Sequence, residues 1–466
     1  MKKILEKSYD TLTTLVQRRL FKTPARLSMV TFLLLISIGT FLLCLPVSSK
    51  TGSLTLINAL FTSTSASCVT GLSVININES LSVFGQCVLL CLIQVGGLGI
   101  MTISTVLILV AGGKASFAEI NLVHDTYTHS DSRSAGSILR EIFLLTFFLE
   151  TLGALLLFTR FYPVYGASRG AYVAVFHSVS AFCNAGFSLF PDSLEGFRND
   201  FIVNLVISVL ILTGGIGFLV IAELRNNFPV NKRTWKRLSL HTKLILVSSL
   251  VLVFGGTLVI LIMEWDNTLA GMDPAHKVLA SFFQSVTLRT AGFNTIPIST
   301  MANQTLFISI IFMFIGASPG SCGGGVKTST MATLFLLGLS RLRGQSCTAA
   351  FNRTIPEQSV TKATNMIMIS LFVVIIGTIL LLMTEVGRIP HAESRGKFIE
   401  ILYETVSAFG TVGLSMGLTE TLTSAGRLII TLIMFTGRLG PMIIAVAISR
   451  KELKHFTYAH EDIMVG

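Results

Sequence analysis

The chain has 466 residues and a formal charge of +11, yet only 13% of its residues are charged and 51% are hydrophobic. A soluble domain is nearer a quarter charged, and no basic run is interleaved with nucleic-acid motifs, so no nucleic-acid partner is expected. Runs of roughly 20 apolar residues, the length that crosses a bilayer, recur from end to end. The ten-residue alternating strands of a membrane barrel are absent. The composition is that of an all-α polytopic membrane protein.

Residues 1–26 hold seven basic residues and lack the apolar core and cleavage site of a secretory signal. They are expected to lie on the cytoplasmic face. A first span is predicted over 27–45, ending at Pro46, followed by a half-length apolar segment over 54–67 that is too short to cross and fits a re-entrant helix. A second span is predicted over 83–111. The triplet of span, half-span and span then recurs at 141–159, 171–185 and 200–223, at 244–264, 275–291 and 304–340, and at 363–385, 397–412 and 424–448. The predicted division is a cytoplasmic segment 1–26, pore units 27–111, 112–223, 224–340 and 341–450, and a cytoplasmic tail 451–466.

Each half-span ends in the same phrase: an aromatic, then small and hydroxyl residues, then glycine. The copies run from Phe61 to Gly71, Phe176 to Gly186, Phe283 to Gly292 and Tyr403 to Gly413. An even number of spans per unit points all four half-spans the same way. Twenty-three of the 35 Lys and Arg fall on the side of the termini and ten on the re-entrant side. The positive-inside rule therefore places both termini in the cytoplasm of a multi-pass cell-membrane protein. The two remaining basic residues, Lys327 and Arg438, fall inside apolar segments, where ionisable groups are functional candidates.

Backbone that stops inside a membrane is tolerated where it lines a wet cavity or packs in protein. A single glycine at such a place would suit close helix packing. Four at matched places favour a shared pseudo-fourfold pore. There the carbonyls of Val69, Thr70, Gly71, Asn184, Ala185, Gly186, Thr290, Ala291, Gly292, Thr411, Val412 and Gly413 replace a cation's water shell. The second spans carry Gly96-Gly97-Leu98-Gly99, Gly214-Gly215-Ile216-Gly217 and Gly437-Arg438-Leu439-Gly440. Arg438 either sets a positive barrier near the ion route or pins a gating loop. Unit three departs from this text. The stretch containing Gly316, Ser318, Pro319, Gly320, Gly323, Gly324, Gly325 and Lys327 must break its segment, since about 37 helical residues would measure roughly 55 Å. It is expected to form a gate below the filter, held through Lys327. Val326 separates the glycines from Lys327, so this is not a phosphate-binding loop and no nucleotide is expected on this chain.

Taken together, the four units, the single glycines, the Ser-Pro-Gly-Ser-x-Gly-Gly-Gly-x-Lys-Thr stretch and the late Thr-Gly-Arg-x-Gly-Pro resemble the Trk/Ktr/HKT superfamily of potassium transporters over residues 27–450. The first unit begins near residue 27, without two extra preceding spans, which looks like the Ktr-type membrane subunit. The resemblance implies K+ as the transported ion, Gly71, Gly186, Gly292 and Gly413 as the filter glycines, and 316–328 as a gating loop beside Arg438. It also implies a homodimer, a cytoplasmic ring of nucleotide-binding KtrA-type regulatory subunits, and Na+ as a candidate activator. The basic run Lys232-Arg233-Thr234-Trp235-Lys236-Arg237 is available to that ring, to anionic membrane lipid, or as plain topology charge. A secondary transporter with broken midplane helices is the alternative, but the units are parallel and Glu150 is the sole mid-span carboxylate. An intramembrane enzyme lacks paired carboxylates or metal ligands. His177 and Glu404, at matched places in units two and four, are read as polar anchors of the pore helices. The seven scattered cysteines, without a CxxC pair, are read mostly as small apolar fillers.

Overall fold

The computed structural model describes residues 24–50, 52–99, 135–229, 231–390 and 392–441. The expectations for the start of the N-terminal segment, for the end of unit one with the loop after it, and for the C-terminal tail lie outside the described residues.

Each unit opens with a long apolar helix. These are α1 (Pro24–Cys44), the first part of α4 (Ala135–Phe182), α8 (Leu240–Met263) and α12 (Glu357–Leu381). Among the described residues four helices are long and apolar enough to cross a membrane, Arg26–Cys44, Arg140–Phe182, Leu240–Met263 and Glu357–Val386, and the bent pair Phe201–Ile216 with Phe218–Asn226 makes a fifth if taken as one span. Their outer faces expose Phe41, Phe148, Phe254, Phe372 and Met383. Exposed rings and branched chains in this number suit lipid, not water. The half-spans are α2 (Leu56–Ser67), the part of α4 after Gly166, α9 (Pro274–Thr287) and α13 (Lys397–Gly410). In unit two the span and half-span are nearly continuous, separated by the single left-handed residue Gly166 at φ 75°.

The closing helices are α3 (Val83–Gly97), α5 (Phe201–Ile216), α10 (Asn303–Phe314) and α14 (Ser424–Leu439). Side-chain oxygens of Ser82, Asp200 and Thr423 cap three of them at the start. Their ends differ from expectation. The sequence suggests unbroken second spans in units one, two and four, and a break in unit three alone. In the structure all four stop after 12–16 residues. Gly99, Gly217 and Gly440, the last glycine of each matched motif, stand at φ 89°, 99° and 84°, a backbone a helix cannot continue through. Past Gly217 the chain turns by 96° into α6 (Phe218–Asn226), followed by the short basic α7 (Lys232–Arg237).

After α10, residues 315–327 run without helix before α11 (Thr328–Leu342). A two-residue hairpin, Ala349–Ala350 with Arg353–Thr354, then leads to α12. The buried apolar side chains form two main clusters, one mostly from units one and two, the other mostly from units three and four.

Candidate functional site

Each pore helix is held by hydroxyls of the repeated phrase, and each hydroxyl has its own level. In units one to three the hydroxyl of the third residue of the phrase meets the first span, whereas in unit four Thr405 donates to Ile401 O of its own helix at 2.7 Å. Ser63, Ser178 and Ser285 donate to the carbonyls of Ile36 (2.9 Å), Glu150 (2.6 Å) and Val253 (2.7 Å). Gly39, Gly153 and Gly256 make room for them: a methyl group on any would lie 2.4–2.6 Å from the serine oxygen. The fifth residue braces the chain beyond the turn. Ser65 accepts from Gly71 N at 3.2 Å and Ser407 from Gly413 N at 3.1 Å. Ser180 donates to Phe187 O at 2.8 Å and Thr287 to Phe293 O at 2.6 Å. The closing helices then pack backbone on backbone. A methyl on Gly96, Gly214 or Gly437 would strike the carbonyls of Ser67, Phe182 or Phe409, so no larger residue fits.

These supports place four turns of one shape. Val69, Asn184, Thr290 and Thr411 stand at φ 56°, 58°, 67° and 52°, and the glycines two residues on, Gly71, Gly186, Gly292 and Gly413, at 93°, 69°, 81° and 92°. Valine and threonine are disfavoured in the left-handed region, so the surrounding structure must impose it. The four glycines meet. A methyl on Gly71 would sit 2.5 Å from Ala185 O. On Gly186 it would sit 2.8 Å from Gly292 Cα, on Gly292 2.5 Å from Val412 O, and on Gly413 within 3.0 Å of Gly71 Cα. The ring therefore closes in chain order. Its flanking residues Val69, Thr70, Asn184, Ala185, Thr290, Ala291, Thr411 and Val412 are buried, whereas Gly71, Gly186 and Gly413 are partly exposed.

Residues 315–327 lie against this ring. Gly316 N donates to Val326 O (2.8 Å) and closes the neck of the loop. Ser318 N and Cys322 N donate to Gly215 O and Gly214 O (both 3.1 Å), and Phe218 N donates to Gly320 O (3.1 Å). The loop is thus knitted into the bend at Gly217, where a methyl would lie 2.7 Å from Pro319 O. Gly324 N donates to the hydroxyl of Thr411 (2.9 Å) and Gly325 N to Gly437 O (3.3 Å). A methyl on Gly323 would collide with the Thr290 hydroxyl. So the loop touches two of the four left-handed residues directly. Lys327, whose partner the sequence does not name, donates to Gly323 O at 2.6 Å, within the loop itself. Arg438 donates to Cys322 O and to Gly96 O, joining the loop to the end of α3.

Three groups carry more than the sequence reading gives them. Arg289, counted there as a charge on the re-entrant side, is buried at the inner end of α9 and donates to Ser249 Oγ at 3.1 Å. Glu150 is buried between units and accepts from Gln94 at 3.2 Å. Glu404 accepts from Ser415 at 2.8 Å and from Thr419. The helical i, i+3 and i, i+4 spacings do not pair such groups, which lie 11 to 56 residues apart. All seven cysteines are unpaired, with Cys68, Cys183 and Cys322 buried. No cluster of three metal-ligating side chains occurs among the described residues.

This geometry defines a multi-pass helical membrane protein whose four half-spans converge on one glycine ring. The family of cation transport proteins named TrkH matches residues 6–456. The chain is 40% identical over 446 residues to Ktr system potassium uptake protein B of Bacillus subtilis, covering 95% of this chain and 97% of the relative. It is 35% identical over 463 residues to potassium/sodium uptake protein NtpJ of Enterococcus hirae, covering 97% and 100%. The crystal structure of the potassium transporter TrkH from Vibrio parahaemolyticus has the same fold at TM-score 0.71 and 17% identity, over 90% of this chain and 83% of that one. The chain belongs to the Trk/Ktr superfamily of cation transport proteins, and is a transporter subunit, not an enzyme.

Proposed function

We propose that this chain is the pore-forming subunit of a Ktr-type potassium uptake system. The ring of Gly71, Gly186, Gly292 and Gly413 is its selectivity filter, and residues 316–327 with Arg438 are its gate. The observation that carries the filter reading is the closed contact of four left-handed turns of one shape. Turns of this kind aim carbonyl oxygens at a common axis, which is how backbone replaces a cation's hydration shell. Four pore helices ending beside the ring add their negative C-terminal ends to the same place. The gate reading is supported by non-helical backbone at membrane depth, packed under the ring by replaceable hydrogen bonds.

The similarity to potassium uptake protein B supports K+ as the ion, and the name of the Enterococcus hirae relative supports a part for Na+. In the full reading the chain forms a homodimer with a pore in each protomer. A nucleotide-binding KtrA-type ring docks on the cytoplasmic face, and both termini face that side. Rubidium uptake in cells lacking their own potassium systems tests the filter. Expression should restore uptake and growth on low potassium, and Gly292→Ser should shift the Rb+/Na+ uptake ratio toward Na+. An unshifted ratio in a stably inserted Gly292→Ser protein removes the filter assignment.

A further inference from the structure

The residue after the opening aromatic of each pore helix stands eleven positions before a hydroxyl residue lying past the ring. The pairs are Thr62 with Ser73, His177 with Ser188, Gln284 with Thr295, and Glu404 with Ser415. Thr62, His177, Gln284 and Glu404 are all fully buried. Two of the four pairs are joined. His177 Nε2 lies 3.0 Å from Ser188 Oγ, while its Nδ1 lies 2.8 Å from Val173 O. A carbonyl can only accept, so Nδ1 carries the proton and, on the neutral ring, Nε2 accepts from the serine. Ser188 Oγ, which has the carbonyl of Ser193 as a second, longer acceptor at 3.3 Å, in turn accepts from Phe190 N at 3.0 Å. In unit four Ser415 Oγ donates to Glu404 Oε2 at 2.8 Å, Thr419 donates to Oε1, and Gly417 N donates to Ser415 Oγ at 3.0 Å.

The other two pairs are not joined. Ser73 Oγ turns to Ile75 O of its own segment at 2.6 Å, and Thr62 Oγ1 has no hydrogen-bond partner among the described residues. Both head-group atoms of Gln284 and the hydroxyl of Thr295 are likewise without one. The ring closes in the order Gly71, Gly186, Gly292, Gly413, so units two and four face each other across it.

We propose that His177 and Glu404 are positioning residues that tie down the strands leaving the ring at two opposite corners. All four corners share the brace from the fifth residue of the phrase; these second ties make the ring stiffer along one diagonal than along the other, and discrimination among alkali cations depends on the stiffer diagonal. A ring of oxygens favours a larger cation only if it resists closing onto a smaller one, and satisfied buried polar pairs supply that resistance. The sequence repeat alone suggests four equal corners; the side-chain partners make two kinds. This inference rests on the filter reading.

The test is the Rb+/Na+ uptake ratio of single variants at matched membrane abundance. Ser188→Ala and Ser415→Ala each delete one hydroxyl and leave the pore helices intact. They and Glu404→Ala each remove at least two hydrogen bonds and should lower the ratio by at least about three- to tenfold, the effect of losing one of them. Glu404→Gln, whose amide can still bond both hydroxyls, should keep the parent ratio, whereas a role for the charge alone would make it as poor as Glu404→Ala. Thr62→Ala and Gln284→Ala should stay within about twofold of the parent, because they break no hydrogen bond. Equal losses on both diagonals, or an unshifted ratio in both serine variants, would overturn the proposal. Gly292→Ser, run beside them, separates the two failures. If its ratio shifts and those of the serine variants do not, the braces fail alone. If its ratio does not shift, the filter reading fails and takes the braces with it.

Discussion

The ring and the loop beneath it lie in contact but are built on opposite plans. At the ring, four chain segments with different side chains adopt one backbone, and each glycine meets its neighbours at similar distances. Beneath it the units part company. Unit one supplies a helix end at Gly96, unit two a 96° bend, unit three the thirteen residues 315–327, and unit four Arg438. On the proposed reading, a filter must offer the same oxygens to an ion from every side and so requires equal backbone, whereas a gate must only be blocked and unblocked and needs one insert and something to hold it. The contacts differ to match. Around the ring, backbone touches backbone with no room for a methyl group. The loop is close-packed too at Gly316, Gly323 and Gly324, but it has open space at Gly320 and is joined to the other units by hydrogen bonds from amides and one guanidinium, which can be exchanged for others.

The largest effect should come from pushing the two levels with one chemical change. Gly413 and Gly320 both have positive φ, 92° and 69°. A methyl on Gly413 would collide with Thr70 O, while one on Gly320 meets nothing within 4 Å. Gly413→Ala should cut Rb+ uptake by more than about 100-fold, since left-handed strain and a backbone clash together exceed some 3 kcal/mol. Gly320→Ala carries the strain alone and should change uptake by about tenfold at most. Comparable losses in both would erase the distinction between a rigid level and a yielding one.

Arg438 comes next. Its two bonds join the loop to α3 across the inner level. Arg438→Ala should raise uptake measured without a regulatory partner by about tenfold, the value of one charged hydrogen bond. A barrier made of charge predicts the same rise, so Arg438→Lys decides between them. Lysine keeps the charge but not the planar fork that spans two carbonyls. If the arginine acts as a pin, the lysine variant should behave like alanine. If it stays as closed as the parent, the positive charge itself is the barrier.

The ring was legible in the sequence because its cause is local. The second positive-φ position of each turn also faces its neighbours too closely for a side chain, so it is always glycine, whereas the first positions, Val69, Asn184, Thr290 and Thr411, carry no such mark. The repeated hydroxyls were visible too, but their division of labour was not. Ser63 and Ser65 differ by two positions, which on a helix points one to α1 and the other to the ring. The common break in the closing helices was hidden for a different reason. A glycine inside an apolar helix costs only about 1 kcal/mol relative to alanine, so Gly99, Gly217 and Gly440 do not announce a stop by themselves. At Gly217 the break is fixed from outside, by the loop residues that bond Gly214, Gly215 and Phe218. Arg289 shows the same limit: charge counting assigns it to a loop, whereas its burial follows from the packing of α9 against α8.

The smallest effect lies away from both levels, at the joint where α8 meets the start of α10. Glu264 is fully buried there. It accepts from Ala302 N at 2.9 Å, Asn267 Nδ2 at 2.8 Å, and the amide and hydroxyl of Thr268 at 3.3 and 2.9 Å. Burial pushes its carboxyl up, but the hydrogen bonds outweigh burial and leave it below its ordinary value. A carboxyl held low in the folded state stabilises the fold above its unfolded value, near about 4.3, and that contribution is lost as pH falls through the folded value. Thermal unfolding of the protein in nanodiscs should therefore show a step of destabilisation below about pH 4 that Glu264→Gln removes. Because the joint touches neither the ring nor the loop, Glu264→Gln should leave the Rb+/Na+ ratio at the parent value even where it lowers the melting temperature. A shift in that ratio as large as the one expected of Gly292→Ser would mean that the support of α10 reaches the ring, and that selectivity and scaffold are not separable in this fold.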